Sequence, residues 1–143
     1  MNIDRLMDLA KATAKNSPNR SRKTACVIVL EDGTEIAECN TFPPGIADKD
    51  ERHEGEARYR WIEHAERGAL YHAARNGLAT RGATIVVPWF PCVECSRAIV
   101  GGGLTRIHCV APDWTEERYH FRDSETILRE GGVAIEYYKE ENK

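Results

Sequence analysis

Residues 61–110 read WIEHAERGALYHAARNGLATRGATIVVPWFPCVECSRAIVGGGLTRIHCV, and this stretch decides the fold. Trp61 to Asn76 is rich in Ala and Leu and predicts a helix, closed at Gly77 where a C-terminal glycine cap belongs. Ala83 to Pro88 is a short apolar run that predicts a buried strand. Pro91 occupies a position suited to the first turn of a second helix, which runs through Ile99 and Val100 to Gly101-Gly102-Gly103. Thr105 to Val110 predicts the next strand.

Working outward, Ile3, Leu6, Met7, Ala10 and Ala14 follow the i, i+3, i+4, i+7 rule of an amphipathic helix. That helix should stop near Asn16-Ser17-Pro18, where proline discourages continuation. Ala25 to Leu30 and Glu35 to Asn40 read as two strands joined by an Asp32-Gly33 hairpin turn, which sets Cys26 opposite Cys39 as two buried thiols. Residues 41–60 open with Pro43-Pro44-Gly45, carry many charges and read as a loop, of a length that is often functional. Thr115 to Arg129 is helical in composition, and Val133 to Tyr138 is a last strand. The order α-β-β-α-β-α-β-α-β points to an α/β layered domain.

The bulk properties narrow the function. At 143 residues the chain fits a single domain, 1–143, able to bury a real core. Its net charge is −3 and its isoelectric point near 6.0. A domain built to grip nucleic acid would carry a basic excess, so a small-molecule substrate is expected and nucleic acid is not. The first residues lack the basic start and apolar run of a signal peptide. No apolar run approaches the roughly 18 residues of a membrane span. A cytoplasmic protein with no membrane partner is therefore expected. Five cysteines is an odd count, and in a reducing compartment closely spaced cysteines point to metal or catalysis.

Two segments carry chemistry: His64-Ala65-Glu66 and Pro91-Cys92-Val93-Glu94-Cys95. Zinc takes thiolate and imidazole ligands tetrahedrally. Two cysteines three apart on a helix lie about 60° apart around its axis, so both thiols can face one point. At a helix start the exposed N–H groups favour thiolates. His64 supplies a third ligand. Three protein ligands leave a fourth position open, the pattern of a catalytic rather than a structural site. Glu66 stands ready to take and deliver protons, provided that the helix begins at or just before His64, where the geometry lets both side chains converge.

Together the two segments match an H-x-E…P-C-x-x-C signature. From about Thr24 to Val110 the sequence resembles the cytidine/deoxycytidylate deaminase superfamily. The resemblance implies a three-layer α/β/α sandwich around a central five-stranded mixed sheet. It implies a Zn2+ cofactor on His64, Cys92 and Cys95, with Glu66 as the catalytic proton shuttle. It further implies hydrolytic loss of ammonia from an amino-substituted ring, most similar to a cytosine nucleotide or nucleoside, by attack of zinc-bound hydroxide. The other rings open to such a site are free bases, purines, pterins and triazines, and the tRNA adenosine deaminases share both motifs. Asn40, Ala65, Trp89, Phe90 and Pro91 would contact the substrate, and the protein would assemble as a homo-oligomer.

The resemblance is strongest to the deoxycytidylate branch, whose Asn-Gly-x-Pro-x-Gly segment corresponds to Asn40-Thr41-Phe42-Pro43-Pro44-Gly45. Thr41 replaces the usual glycine there. Pro44 replaces a basic residue, and Gly68 stands where an asparagine is common, so polar contacts to a 5′-phosphate are missing at both places. Arg20, Arg22, Lys23, Lys49, Arg52, Arg58 and Arg60 are available to replace them. Trp114, Tyr119 and Phe121 form a second aromatic cluster that either closes the pocket or lines an interface.

Overall fold

Ala25–Val29 (β1) is buried at all five positions, as a strand covered on both faces must be. The computed structural model describes residues 1–139. Along the chain the elements are α1 (Ile3–Ala14), β1, β2 (Glu35–Cys39), a 3₁₀ turn (Asp50–Arg52), α2 (Arg58–Trp61), α3 (Ala65–Arg75), β3 (Thr84–Val86), α4 (Val93–Gly101), β4 (Arg106–Cys109), α5 (Phe121–Glu130) and β5 (Ala134–Tyr137). The sheet order is β2-β1-β3-β4-β5. β1 is antiparallel to β2 and β3, while β3, β4 and β5 run parallel through α4 and α5. The five-stranded mixed sheet expected of the sequence is therefore present.

Alternation along β1 sorts the two cores. Val27 and Val29, with Val86 of β3, pack on Leu6, Met7 and Ala10 of α1. Cys26 and Ile28, with Ile85, Val87 and Ile107, pack on Ala65, Ala69 and Ala73 of α3, Ile99 of α4 and Leu128 of α5. One helix thus covers one face and three cover the other, giving three layers. Asn2 caps α1, its Oδ1 accepting the Arg5 N–H at 3.0 Å. The three alanines of α3 bring its backbone close to the sheet, which matters because α3 begins at the site.

Several boundaries differ from the sequence reading. The hairpin loop holds three residues, Glu31 to Gly33, closed by Leu30 N–H to Thr34 O at 2.8 Å, with Gly33 at φ +92°. The register is consequently shifted by one: Cys26 faces Glu38 and Cys39 faces Ala25. The two thiols lie on opposite faces, and Cys39 is only half-buried. The helix expected from Trp61 starts at Ala65, because Thr41 and Glu63 form an antiparallel bridge that holds the backbone extended. The loop 41–60 contains the 3₁₀ turn and most of α2. Pro91 precedes the cap residue Cys92 rather than lying in the first turn of α4. Finally, α5 begins at Phe121 instead of Thr115, since Asp113 Oδ1 accepts the Thr115 N–H and Glu116 Oε1 the Arg118 N–H, local bonds that compete with helix.

The end of α5 meets α4 at Gly131, where a Cβ would stand 2.5 and 2.6 Å from the Val100 methyls and 3.0 Å from the Ile127 carbonyl. Gly131→Ala is expected to lower stability by about 1–3 kcal/mol, the usual cost of overpacking. It would be read as a lower urea midpoint at unchanged slope. An unchanged midpoint would show that the α4–α5 seam has slack.

Candidate active site

Two helix starts converge beyond the carboxyl end of β3. His64 is the cap residue of α3, with φ −65° and ψ 148°, so its side chain is freed from the 100° step of the helix that follows. This resolves how His64 and Glu66, two residues apart, serve one site. The extended approach to His64 is braced: Glu63 Oε1 accepts the His64 N–H at 3.0 Å and the Arg67 Nε at 2.7 Å. Cys92 caps α4, its Sγ accepting the Cys95 N–H at 3.4 Å. Glu66 lies in the first turn of α3, where the helix dipole favours negative charge.

His64 Nδ1 lies 3.5 Å from Cys92 Sγ and 3.4 Å from Cys95 Sγ. With Zn–S about 2.3 Å and Zn–N about 2.05 Å, a tetrahedral site requires an N···S edge of roughly 3.6 Å. The donor set fits zinc in both chemistry and spacing. Among the described residues it is the one cluster of three such donors within 4.8 Å of one another. None of the five cysteines is in a disulfide.

The electrostatics are those of a site prepared for a cation. Cys92 is held down to about 5, first by the hydrogen bond from the Cys95 thiol and, against burial, by His64. The neighbouring Cys92 pushes the Cys95 thiol up, as does burial. His64 is raised by its hydrogen bond to Cys92. Burial raises the Glu66 carboxyl above its ordinary value.

A cavity of about 240 Å³ opens over this cluster. His64, Glu66 and Cys92 line it, as do Asn40, Trp89 and Phe90. Ala65 and Pro91 are fully buried and do not line it. Phe90 packs edge-on against Trp114 at 5.5 Å and Phe121 at 5.7 Å. Tyr119 and Phe121 belong to the cavity wall, whereas Trp114 supports Phe90 from outside it. Asn40 is committed to the backbone: its Oδ1 accepts the Thr24 N–H and its Nδ2 donates to the Arg22 carbonyl, both at 2.9 Å. One Nδ2 hydrogen remains. Asn19, Ser21, Thr24, Tyr59, Ile62 and Val87 also line the cavity. No spacing in the sequence marks them, because separate segments bring them together.

The family model of the cytidine and deoxycytidylate deaminase zinc-binding region matches residues 1–111. A deaminase of the luxG 3′ region of Aliivibrio fischeri is 28% identical over 113 residues, covering 79% of this chain and 74% of that one. The deoxycytidylate deaminase of Enterobacteria phage T2 is 34% identical over 73 residues, which are 50% of this chain and only 36% of the phage protein. In fold, the crystal structure of dCMP deaminase from cyanophage S-TIM5 superposes with a TM-score of 0.74 at 18% identity, covering 95% of this chain and 96% of that one.

Cys92→Ala removes one ligand and the side-chain cap of α4 together. The variant is expected to purify with substoichiometric zinc by atomic emission and to melt earlier than the parent, because metal binding and folding are linked. One full equivalent of zinc in that variant would take Cys92 out of the ligand set.

Proposed function

The chain belongs to the cytidine and deoxycytidylate deaminase zinc-binding family, and on that premise we propose that it is a hydrolytic deaminase of a cytosine nucleotide or nucleoside. One observation carries the proposal. A buried carboxyl, Glu66, lines the same cavity as His64 and Cys92, whose donors with Cys95 are spaced for zinc. When bound, zinc supplies a Lewis acid that brings the pKa of a water near neutrality. The residues of the chain do the rest. Glu66 takes a proton from the attacking water and delivers one to the exocyclic nitrogen as ammonia leaves. Burial raises its proton affinity, which strengthens the carboxylate as a base toward water. Trp89 and Phe90 offer flat faces to the ring. The free hydrogen of Asn40 is left for the base or sugar.

The proposal takes residues 1–143 as one domain, acting on a small molecule in the cytoplasm as a homo-oligomer. A single sheet carrying both cores supports the first. No helix of the described residues is long and apolar enough to cross a membrane.

Ammonia release from deoxycytidylate, cytidylate, cytidine, deoxycytidine, cytosine, adenosine, guanine, a pterin and an aminotriazine tests the proposal. Release from a cytosine nucleotide or nucleoside is expected, and its absence there would overturn it. Glu66→Gln should keep zinc and lose about 10²–10⁴-fold in kcat. The stability of that variant has a definite sign. The fold raises the Glu66 pKa above its ordinary 4.5, so ionising this carboxyl costs the folded state. In the metal-stripped protein the Gln variant should match the parent below about pH 4.5 and become the more stable of the two as pH rises through the raised pKa. Equal melting temperatures across that window would show that Glu66 is not shifted.

A further inference from the structure

A break of three residues, Ile62 to His64, separates α2 from α3, and the site depends on it. Carried through as one helix, this segment would set His64 and Glu66 about 200° apart around the axis, and only one of them could face the cavity. Fusion would require the N–H groups of Glu63 and His64 to donate four residues back, to the carbonyls of Tyr59 and Arg60. Ile62 still does this, donating to the Arg58 carbonyl at 3.0 Å. The next two donors are diverted. The Glu63 N–H goes to the Thr41 carbonyl at 2.8 Å, and the His64 N–H goes to Oε1 of Glu63 at 3.0 Å.

The same carboxylate oxygen is held from its other side. Arg67 Nε, in the first turn of α3, donates to it at 2.7 Å, and both side chains are mostly buried. His64 is the cap residue of α3, yet its side chain makes no capping bond, its ring being turned to the two cysteine sulfurs. At α4 the ligand Cys92 is itself the cap. α3 therefore starts on a ligand that does not cap, and the residue before it supplies the anchor. In a capping box the third helical residue reaches back to the cap N–H with an acidic side chain. Here that third residue is Arg67, and it reaches back to the carboxylate that has already taken the N–H. The backbone of Glu63 is tied as well, to Thr41, the neighbour of the cavity residue Asn40.

We propose that Glu63 is a positioning residue, whose carboxylate holds the His64 backbone out of the helix and so fixes the imidazole against Cys92 and Cys95 for zinc. The inference rests on the zinc-deaminase reading of the site and adds a residue that the motif does not contain. Glu63 does not line the cavity and acts through His64.

The test uses the full chain and two readouts: zinc affinity, by competition with a chromophoric chelator, and the visible spectrum of the cobalt-substituted protein, which reports ligand geometry. Glu63→Met removes the acceptor and keeps the length of the side chain. It should weaken zinc by about 10- to 100-fold, the usual effect of losing a group that orients a metal ligand, and alter the cobalt bands. Glu63→Gln keeps an acceptor in place and should recover most of the affinity. Asn2→Ala separates positioning from general weakening. It uncaps α1 on the opposite face of the sheet, so it should lower the melting temperature and leave zinc affinity and the cobalt spectrum as in the parent. Circular dichroism reports folding, and Glu63→Ala takes the place of Glu63→Met if the latter does not fold. Parental affinity and spectrum in Glu63→Met overturn the inference. So does equal zinc loss in Asn2→Ala, or a Glu63→Gln protein as weak as Glu63→Met, which would place the effect in the ion pair with Arg67. Ammonia release from deoxycytidylate and deoxycytidine separates the two readings. Zinc loss in Glu63→Met beside a parent that releases no ammonia leaves the positioning role and removes the deaminase. Ammonia release by the parent beside unaltered zinc binding in Glu63→Met removes the positioning role and leaves the deaminase.

Discussion

The structure depends on one geometric demand: three donor atoms, from two helices nearly thirty residues apart in sequence, must close to within a few tenths of an ångström of a tetrahedral edge. His64 and Cys92 are both cap residues, and Cys95 follows one turn into the second helix. A cap residue sits where its own helix begins, so the site inherits any error in how α3 and α4 are seated on the sheet. The seating is correspondingly tight. Ala65, Ala69 and Ala73 lie wholly buried along α3, and Ile99 lies wholly buried on α4. Small residues leave little freedom of height above the strands, and close packing transmits little slack. The parallel run of β3 into α4 then delivers Cys92 to the carboxyl edge of the sheet, where open α/β sheets place their ligands.

The cavity is built by two different strategies at its two ends. Its chemical end is made by residues at the starts of regular elements, held by the core. Its other end is made by the chain before β1 and by the short α2 within a long connection. Scaffold-borne chemistry and loop-borne recognition is a common division of labour. It accounts for zinc donors and a carboxyl that follow the family signature, beside cavity walls drawn from separate segments such as Asn19, Ser21, Arg22, Arg58 and Tyr59.

Most of the fold was legible in the sequence because its signals are local. The period of α1, the apolar runs of the strands and the paired His-Ala-Glu and Pro-Cys-x-x-Cys segments each declare themselves within a few residues. What was illegible depended on partners distant in the chain, or on a choice between near-equal turns. Asp32-Gly33 is compatible with a two-residue or a three-residue loop, and the choice moves Cys26 from Cys39 to Glu38. Trp61 to His64 has helical composition, yet Thr41 takes Glu63 into a bridge. Thr115 to His120 has helical composition too, and loses it to bonds made by Asp113 and Glu116. The meeting of Arg22 with Arg58 has no local signature at all, since 36 positions separate them and only the folded chain brings them to one wall.

Asn40 follows the last residue of β2, where the ladder with β1 stops. Its carboxamide nevertheless accepts from the Thr24 N–H and donates to the Arg22 carbonyl, just as the peptide unit of one more paired residue would. The side chain is a surrogate peptide that adds a rung beyond the end of the sheet. A rung of this kind needs a donor and an acceptor on one planar group. Aspartate has the same shape but would set one carboxylate oxygen against the Arg22 carbonyl, acceptor against acceptor. Hydrolysis of this single amide would therefore turn a hydrogen bond into a repulsion at the edge of the sheet beside the cavity.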